Sequence, residues 1–464
     1  MALAGCWSVL KPSPGGVRGR LKRGRREYGI IVDMIRIVRA KDEAVARFNA
    51  RPAFPDEAEE AARAVLGEIR RRGDAAVAEA VAKFEGVRLE PSQFRLDVPD
   101  AEALAASLPA RVVGAVKLAH ANVKRFSEAS LWRPWSAGTE HGGEYGEYFS
   151  PMERVGVYIP GGTAPLASTA IHTVTLAKAA GVREIVACTQ AGKTGEVNPV
   201  LVYALALAGA TEIYRVGGIQ AIGMMAFGTA TCRKVEKIAG PGNAFVTAAK
   251  RQVYGFAAID QVAGPSEIAV LADGAAKASW VAADLLSQAE HGSGWERSLC
   301  VCLSEGAANA ILGEVLRQKE TLPRKALVER VIERDGILIV VASSLDEAFG
   351  VVNGFAPEHL AVLAEGVGVE EVRRRVTAAG AIFVGPWTPE SSGDFVAGPS
   401  HVLPTGGAAR MFSGLTPDDF RRRHSFVSLS REDLAASRDA IEAFAEVEGL
   451  GAHGRAATIR FEDL

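Results

Sequence analysis

The sequence has little of what marks several protein classes. Its 464 residues include five scattered cysteines, which argues against a disulfide framework and favours a reducing compartment. No apolar run approaches the length that a membrane span needs. The net charge of −2 gives no basic excess for nucleic-acid binding. Short repeats and low-complexity tracts are also missing. This composition is typical of a soluble enzyme, for which we expect a cytoplasmic location and neither a nucleic-acid nor a membrane partner.

Glycine, by contrast, is abundant. Many of its 49 residues fall in tight clusters between apolar runs, as in α/β proteins whose loops approach ligands closely. Strand and helix patterns alternate over residues 151–265 and again over residues 266–414. Such βαβα alternation predicts parallel sheets with helices on both faces. The sequence therefore indicates two α/β domains that meet near Gly264 and Pro265.

The expected domain boundaries follow composition and pattern. Residues 1–33 form a basic leader that we expect to be poorly ordered; it resembles a transit peptide in composition, or is an upstream extension before a second possible start at Met34. We assign residues 34–54 to an N-terminal arm, residues 55–150 and 266–414 to a discontinuous first α/β domain, residues 151–265 to the second, and residues 415–464 to a helical C-terminal segment.

Two short strings place titratable or amide side chains at the ends of regular elements. In SQAEHG, Gln288 and His291 are three residues apart and share one face of a helix that ends at a glycine. This is either a helix C-cap or half of a metal site. In NGFAPEHLAV, Glu358 and His359 precede an apolar strand. They are either a polar loop or a general acid/base pair.

Two further strings lie closer to the C-terminus. A long segment rich in glycine and proline, GPWTPESSGDFVAGPSHVLPTGG, contains Glu390, Asp394 and His401. The string EVEGLGAHG adds Glu448 and His453, which alone is a weak signal because a histidine in a tail is usually solvated. Imidazole nitrogen and carboxylate oxygen are ligands that zinc accepts. Gln288, His291, Asp394 and His453 would suit zinc, although glutamine is an uncommon ligand and spacing alone does not establish the set.

Eight strings in one order give the chain a specific resemblance. They are VGVYIPGGTAPLAST, VGGIQAI, KIAGPGNAFVTAAKRQVYG, AGPSE, LLSQAEHG, NGFAPEHL, TPESSGDFVAGPSHVLPTGGAARMFSGLT and EGLGAH. Together they resemble the histidinol dehydrogenase family over residues 34–464. The resemblance implies oxidation of L-histidinol, a small amino alcohol, through the aldehyde to L-histidine with two NAD molecules. It also implies two incomplete Rossmann-like domains and a homodimer with shared active sites, in which the C-terminal segment swaps between subunits.

The resemblance also assigns roles to individual residues. It implies one Zn²⁺ per subunit, held by Gln288, His291, Asp394 and His453, which thereby also bind the substrate. It implies that His359 is the general base and that Glu358 activates water. Further substrate contacts would come from Ser168, Ser266, His401 and Glu448, and NAD contacts from Tyr158, Gln220 and Asn243. His453 and Glu448 would act across the dimer.

The GxGxxG fingerprint of dinucleotide-binding folds is missing from its usual position, and YIPGGTAPL is the nearest glycine turn at a strand end, which matches a family whose domains are incomplete Rossmann-like folds. Two departures from the family pattern leave other functions open. Leu176 stands where the family usually has proline, and Ser400 where it usually has asparagine. A dehydrogenase for another small polar alcohol is the main alternative. A non-catalytic α/β binding protein is the other, which the intact set of site residues disfavours.

Overall fold

The computed structural model describes residues 35–50, 55–161 and 165–462, and the basic leader lies outside this part of the chain. The strands are β1 (Arg36–Arg39), β2 (Arg95–Leu96), β3 (Trp135–Gly138), β4 (Glu144–Pro151), β5 (Arg154–Ile159), β6 (Glu184–Thr189), β7 (Glu212–Tyr214), β8 (Lys237–Ala239), β9 (Ala258–Ile259), β10 (Glu267–Ala272), β11 (Arg297–Cys302), β12 (Ile337–Val341), β13 (His359–Val362), β14 (Ala381–Val384) and β15 (Arg421–Ser428).

The helices connect these strands and cover the sheets. They are α1 (Glu43–Asn49), α2 (Asp56–Arg72), α3 (Asp74–Phe84), α4 (Ala101–Ala105), α5 (Ala110–Ser130), α6 (Ala167–Ala179), α7 (Pro199–Ala208), α8 (Gly218–Phe227), α9 (Ala244–Val253), α10 (Ala278–Ala289), α11 (Glu305–Lys319), α12 (Lys325–Glu333), α13 (Leu345–Phe355), α14 (Val369–Arg375), α15 (Glu390–Phe395), α16 (Arg431–Val447) and α17 (Gly451–Thr458). None of these described helices has the length and apolarity needed to cross a bilayer.

The first sheet is built mainly from the chain after residue 266. Its six strands run parallel in the order β1-β12-β11-β10-β13-β14. Strands β10, β11 and β12 are almost continuously apolar, because helices cover both faces of the sheet. Part of the predicted N-terminal arm is strand β1, which pairs with β12 at the edge of this sheet.

The second sheet has the same core order. Its strands lie in the order β2-β7-β6-β5-β8-β9, and only the short β2 is antiparallel to its neighbour. Counted from β5, the order β7-β6-β5-β8-β9 is third, second, first, fourth, fifth, and β12-β11-β10-β13-β14 repeats it in the first sheet. This is the strand order of the dinucleotide-binding α/β fold. Both predicted parallel sheets are present.

The predicted grouping of residues 55–150 with residues 266–414 was wrong for the helical part of that segment. Helices α2 and α3 pack on α8 and share a core with the second sheet, while α5 packs on α6. Leu66 and Ile69 of α2 approach Gly223 of α8, where an added Cβ would lie 2.8 Å from Ile69. A close fit between helices distant in sequence leaves no local signal, so chain order was a poor guide.

The C-terminal segment was predicted to be helical, but part of it is a strand. Strand β15 pairs antiparallel with β4, and β4 pairs with β3, which gives a small third sheet. Helices α16 and α17 then pack against each other. The N-terminus of α16 is capped by Ser430, and the Asp433 carboxylate accepts hydrogen bonds from Thr139 Oγ1 (2.7 Å) and from the N–H of Gly143 (3.0 Å). The tail is therefore attached to the chain around the third sheet.

Candidate active site

Glu358 and His359 lie where β13 begins, beside the start of β10. The backbone of Glu267 holds both side chains: its N–H donates to Glu358 Oε2 (2.8 Å) and its carbonyl accepts from His359 Nδ1 (3.0 Å). A carbonyl only accepts, so the Nδ1 atom of His359 carries a proton. Ala356, two residues before Glu358, takes a left-handed backbone conformation (φ 51°) at the turn that leads into the pair. The Nε2 atom of His359 is thereby left to act as a base or a ligand.

Two carboxylates of α15 surround that nitrogen. His359 Nε2 lies 3.6 Å from Asp394 Oδ1 and 3.8 Å from Glu390 Oε1, too far for good hydrogen bonds. Ligand atoms of these three residues fall within 4.8 Å of one another, so they could share a cation. Burial lowers the pKa of His359, but the charges of Glu358, Asp394 and Glu390 outweigh burial and raise it overall.

The carboxylates of this cluster titrate in opposite directions. Burial raises the pKa of Glu358 to about 8. Burial, together with the neighbouring Asp394, also raises the pKa of Glu390. For Asp394, burial is outweighed by the imidazoles of His359, His401 and His291, and its pKa falls well below the usual range. Asp394 is therefore the most persistently charged ligand candidate in the cluster, which suits it to a metal ion.

Gln288 and His291 approach the same cluster from the end of α10. Gln288 is fully buried, and both atoms of its amide lack a hydrogen-bond partner within the described structure. The preceding residue, Ser287, donates from Oγ to Glu390 Oε2 (2.8 Å). His291 Nε2 lies 4.0 Å from Asp394 Oδ2, and its Nδ1 is 3.0 Å from Ser266 Oγ. A buried amide without a partner in the described structure, three residues before an imidazole that lies 4.0 Å from a carboxylate, fits a cation site better than a simple helix cap.

His401 joins the loop after α15 to α6 of the second sheet. Its Nδ1 donates to the Asp394 carbonyl (2.8 Å), and its Nε2 lies 3.2 Å from Thr169 Oγ1, next to the partly buried Ser168. Its ring stacks on that of His172, with 4.4 Å between the centroids. Burial lowers the pKa of His401, which favours a neutral imidazole. The contact brings the predicted substrate residues Ser168 and His401 to one place.

Glu448 and His453 are not brought to this cluster within one chain. Glu448 is exposed at the end of α16, and His453 is exposed on α17. Across the described residues, no hydrogen bond or ion pair joins either side chain to Asp394 or His291. A single chain thus assembles three of the four predicted zinc ligands in one region.

The predicted NAD residues line the carboxyl edge of the second sheet. Tyr158 Oη, at the end of β5, accepts from the N–H of Gly218 (3.2 Å), and Gln220 lies in the first turn of α8. Asn243 caps α9 by accepting from two backbone N–H groups, both at 3.1 Å. Here Gly161 and Gly217 pack so closely on Gln190 that an added Cβ would lie 2.7 and 2.8 Å from its Cβ. Backbone and glycine therefore form this edge, where α/β folds bind dinucleotides.

Two acidic residues near these sites received no role from sequence reasoning. Glu390 was noticed but not assigned, although its i, i+4 spacing to Asp394 in a short helix was a usable signal. Glu85, at the end of α3, binds Gln220 and Gly217 across more than a hundred residues of sequence. The contact between Glu85 and Gln220 depends on how α3 packs on α8, and no sequence motif predicts it.

Comparison with known proteins points to one family. The family model described as histidinol dehydrogenase matches residues 50–461. A histidinol dehydrogenase of Heliobacterium mobile is 42% identical over 398 residues, covering 86% of this chain and 92% of the relative. One of Bacillus licheniformis is 42% identical over 404 residues, covering 87% and 93%.

A solved structure gives the same result for the fold. The crystal structure of histidinol dehydrogenase from Elizabethkingia anophelis superposes with a TM-score of 0.87 at 34% sequence identity, covering 92% of this chain and 98% of that one. The eight strings, the matched length and the shared fold agree, and the chain therefore belongs to the histidinol dehydrogenase family and is an oxidoreductase of that type.

Proposed function

We propose that the protein oxidises L-histidinol to L-histidine through histidinal, using zinc and two molecules of NAD. One alcohol and one water would give one carboxylate, two NADH and three protons. The observation that carries the proposal is the position of His359 Nε2, 3.6 Å from Asp394 Oδ1 and 3.8 Å from Glu390 Oε1. The test is steady-state NADH formation on L-histidinol beside a panel of small polar alcohols.

The donor atoms fit a zinc ion. Gln288, His291 and Asp394 supply an amide oxygen, an imidazole nitrogen and a carboxylate oxygen, and the partner subunit's His453 would be the fourth ligand. His291 Nδ1 is already placed against Ser266 Oγ, so its Nε2 is the atom left for a metal. When bound, zinc would orient the imidazole and amine nitrogens of the substrate and hold the alcohol carbon in place.

A second ligand set, His359, Glu390 and Asp394, is also compact. We favour the first set for two reasons. The side chain of His291 is 40% exposed and so open to a substrate, whereas those of His359 and Glu390 are only 3% and 1% exposed. Coordination through Nε2 would also remove the only free nitrogen of His359 from proton transfer, because its Nδ1 is bonded to Glu267.

His359 would take the protons. In the neutral form of His359, whose Nδ1 donates to a backbone carbonyl, Nε2 would have a lone pair for the hydroxyl proton of the alcohol while the carbon-bound hydrogen leaves as hydride. Asp394 and Glu390 would stabilise the imidazolium that forms. The same nitrogen would accept a proton in the second oxidation, once the aldehyde has been hydrated.

Glu358 would prepare the second oxidation. It is buried beside His359, with 3.7 Å between Oε2 and Nδ1, and burial raises its pKa to about 8. A carboxyl group with a pKa near neutrality can take a proton from water as that water adds to the aldehyde carbon. The hydrate then carries the hydrogen that leaves as the second hydride.

The carboxyl edge of the second sheet fits NAD. Its glycine turns would let the backbone approach a pyrophosphate, and Gln220 Oε1 is a buried acceptor without a donor in the described structure. NAD supplies the hydride acceptor in both oxidations. Tyr158, Gln220 and Asn243 would contact it, and Ser168 and Thr169 would face the substrate side of the same edge.

A homodimer would complete the site. Glu448 and His453 sit exposed on a pair of tail helices with large apolar side chains at the surface, among them Phe444 and Val447. Such a surface fits an interface between two copies of the chain. The partner's Glu448 and the partner's His453 would then reach the cluster. Complementation tests this. Inactive Gln288→Ala and His453→Ala chains should regain activity when mixed, because one of the two sites in each mixed dimer contains neither substitution.

A dehydrogenase for another small polar alcohol is the alternative, and the two sequence departures that raised it lie inside the packing. Ser400 Oγ donates to the His172 carbonyl (3.0 Å), and Leu176 is a core residue of α6. Neither side chain is free to select a substrate. A good rate on another alcohol with none on L-histidinol would reverse this choice.

A further inference from the structure

Glu85 lies outside the second sheet in sequence but reaches its carboxyl edge in space. It follows the last residue of α3, and its Oε1 accepts from the N–H of Gly217 (2.9 Å) after β7 and from Gln220 Nε2 (2.7 Å). Gly217 in turn packs on Gln190, the first residue after β6, where an added Cβ would lie 2.8 Å from the Gln190 Cβ. The negative charge is thus held at the carboxyl ends of β6 and β7.

That position has a known use in folds of this strand order. β5 is the first strand of the repeat and β6 is the second. In dinucleotide-binding folds an acidic residue near the end of the second strand accepts a hydrogen bond from the ribose 2′-hydroxyl of NAD. Here β6 is followed by Gln190 and Ala191, neither of which is acidic. Glu85 supplies a carboxylate at this place from a different element.

The hydrogen bonds leave two acceptors without donors on this pair of side chains. Oε2 of Glu85 and Oε1 of Gln220 are buried and have no donor in the described structure. Because Gln220 Nε2 donates to Glu85, the amide is oriented with its oxygen away from that carboxylate. Two acceptors without donors, on side chains that are hydrogen-bonded to each other, match a vicinal diol, which offers two hydroxyl donors. A 2′-phosphate offers no such donor at neutral pH and adds negative charge.

We infer that Glu85 makes this enzyme select NAD over its 2′-phosphorylated analogue, by orienting Gln220 and by opposing the charge of a 2′-phosphate. The inference rests on the proposed use of a nicotinamide dinucleotide. It goes further by naming the residue that chooses between the two coenzymes. Glu85 is a positioning residue for the Gln220 amide, and its negative charge would repel a 2′-phosphate.

The test is binding rather than turnover. Dissociation constants of NADH and NADPH are measured by calorimetry on wild type, on Glu85→Gln and on Glu79→Gln. Glu79 is a matched control, because it is an exposed carboxylate on the same helix that pairs with Arg72. Wild type and Glu79→Gln should prefer NADH strongly. In Glu85→Gln the ratio of the NADPH to the NADH constant should fall about tenfold or more, since a hydrogen bond to a charged group is lost and a repulsion is removed.

Equal weakening of both coenzymes in Glu85→Gln, or an unchanged ratio, overturns the inference and leaves the proposed function standing. A wild type that binds neither coenzyme overturns both. If Glu85→Gln does not fold, the same constants are measured on Glu85→Asp, which keeps the negative charge on a side chain one methylene shorter. NADPH should still be rejected while NADH binds more weakly, and a gain in NADPH affinity contradicts the inference.

Discussion

Two sheets of the same strand order use opposite edges. The first sheet places Glu358 and His359 at the amino ends of β10 and β13, among carboxylates and imidazoles. The second places Tyr158, Gln220 and a set of glycines at the carboxyl ends of β5, β6 and β7. Ligands of open α/β sheets usually bind at the carboxyl edge. Strand order thus predicts the proposed dinucleotide edge, whereas the proposed catalytic cluster must be found from its titratable side chains.

The largest expected effect comes from removing a metal ligand at the amino edge. His291→Asn should abolish both zinc binding and NADH production, because the site loses an imidazole that lies against Asp394. NADH affinity should survive, since the coenzyme would bind at the other edge. Metal content by mass spectrometry and NADH binding by calorimetry check both.

The matched variants are Glu390→Gln and His359→Asn, which alter the competing ligand set. Both should keep stoichiometric zinc. If either loses the metal while His291→Asn retains it, zinc belongs to His359, Glu390 and Asp394 instead.

The next effect isolates the base. His359→Asn should lower kcat by about 10²–10⁴-fold, the range for loss of a general base, with zinc still bound. Steady-state rates on zinc-loaded protein measure it, and His424→Asn on β15 is a control at the third sheet. Near-normal turnover in His359→Asn would remove that residue from its role.

A smaller effect should separate the two oxidations. Glu358→Gln should slow oxidation of the aldehyde more than oxidation of the alcohol, because only the second step needs water. Rapid-quench analysis should then show accumulation of an aldehyde that a hydrazine reagent traps. Equal slowing of both steps would argue that Glu358 acts only by holding the backbone of Glu267.

The smallest effect on chemistry concerns the carboxyl edge. Lys250 is a buried cation that pairs with Asp260 and donates to the Gly240 carbonyl (2.9 Å) at the end of β8. Lys250→Met should destabilise the protein by about 3–5 kcal/mol, since it leaves a buried carboxylate unpaired. The unfolding temperature and the NADH affinity should both fall while zinc content stays normal. The control is Arg251→Met, a change at the partly exposed neighbouring residue. An unchanged unfolding temperature would contradict the importance of this pair.

Much of the fold and of the proposed site could be predicted from the sequence, because the candidate side chains are concentrated in short strings. Gln288 with His291, and Glu358 with His359, each occupy one element end, and His291 Nε2 and His359 Nε2 lie 4.0 and 3.6 Å from Asp394 carboxylate oxygens. Alternating patterns likewise predicted two parallel sheets. Those features are local, so residue types and spacing raised them as candidates, whereas the roles of individual residues came from the family resemblance.

What the sequence missed depends on long-range packing. Helix α2 follows the arm that enters the first sheet, yet it packs on the second, because its apolar face fits a groove at Gly223. Glu85 meets Gln220 only through that same packing. The placement of His453 against the cluster remains a prediction that requires a second copy of the chain.

The most direct measurement is the stoichiometry of the reaction. Zinc-loaded protein is given limiting L-histidinol and excess NAD, and NADH is counted to completion. The account predicts two NADH and one L-histidine per L-histidinol. One NADH with free aldehyde would contradict the role of Glu358 and the four-electron reaction. No NADH, beside rapid oxidation of another polar alcohol, would contradict the substrate.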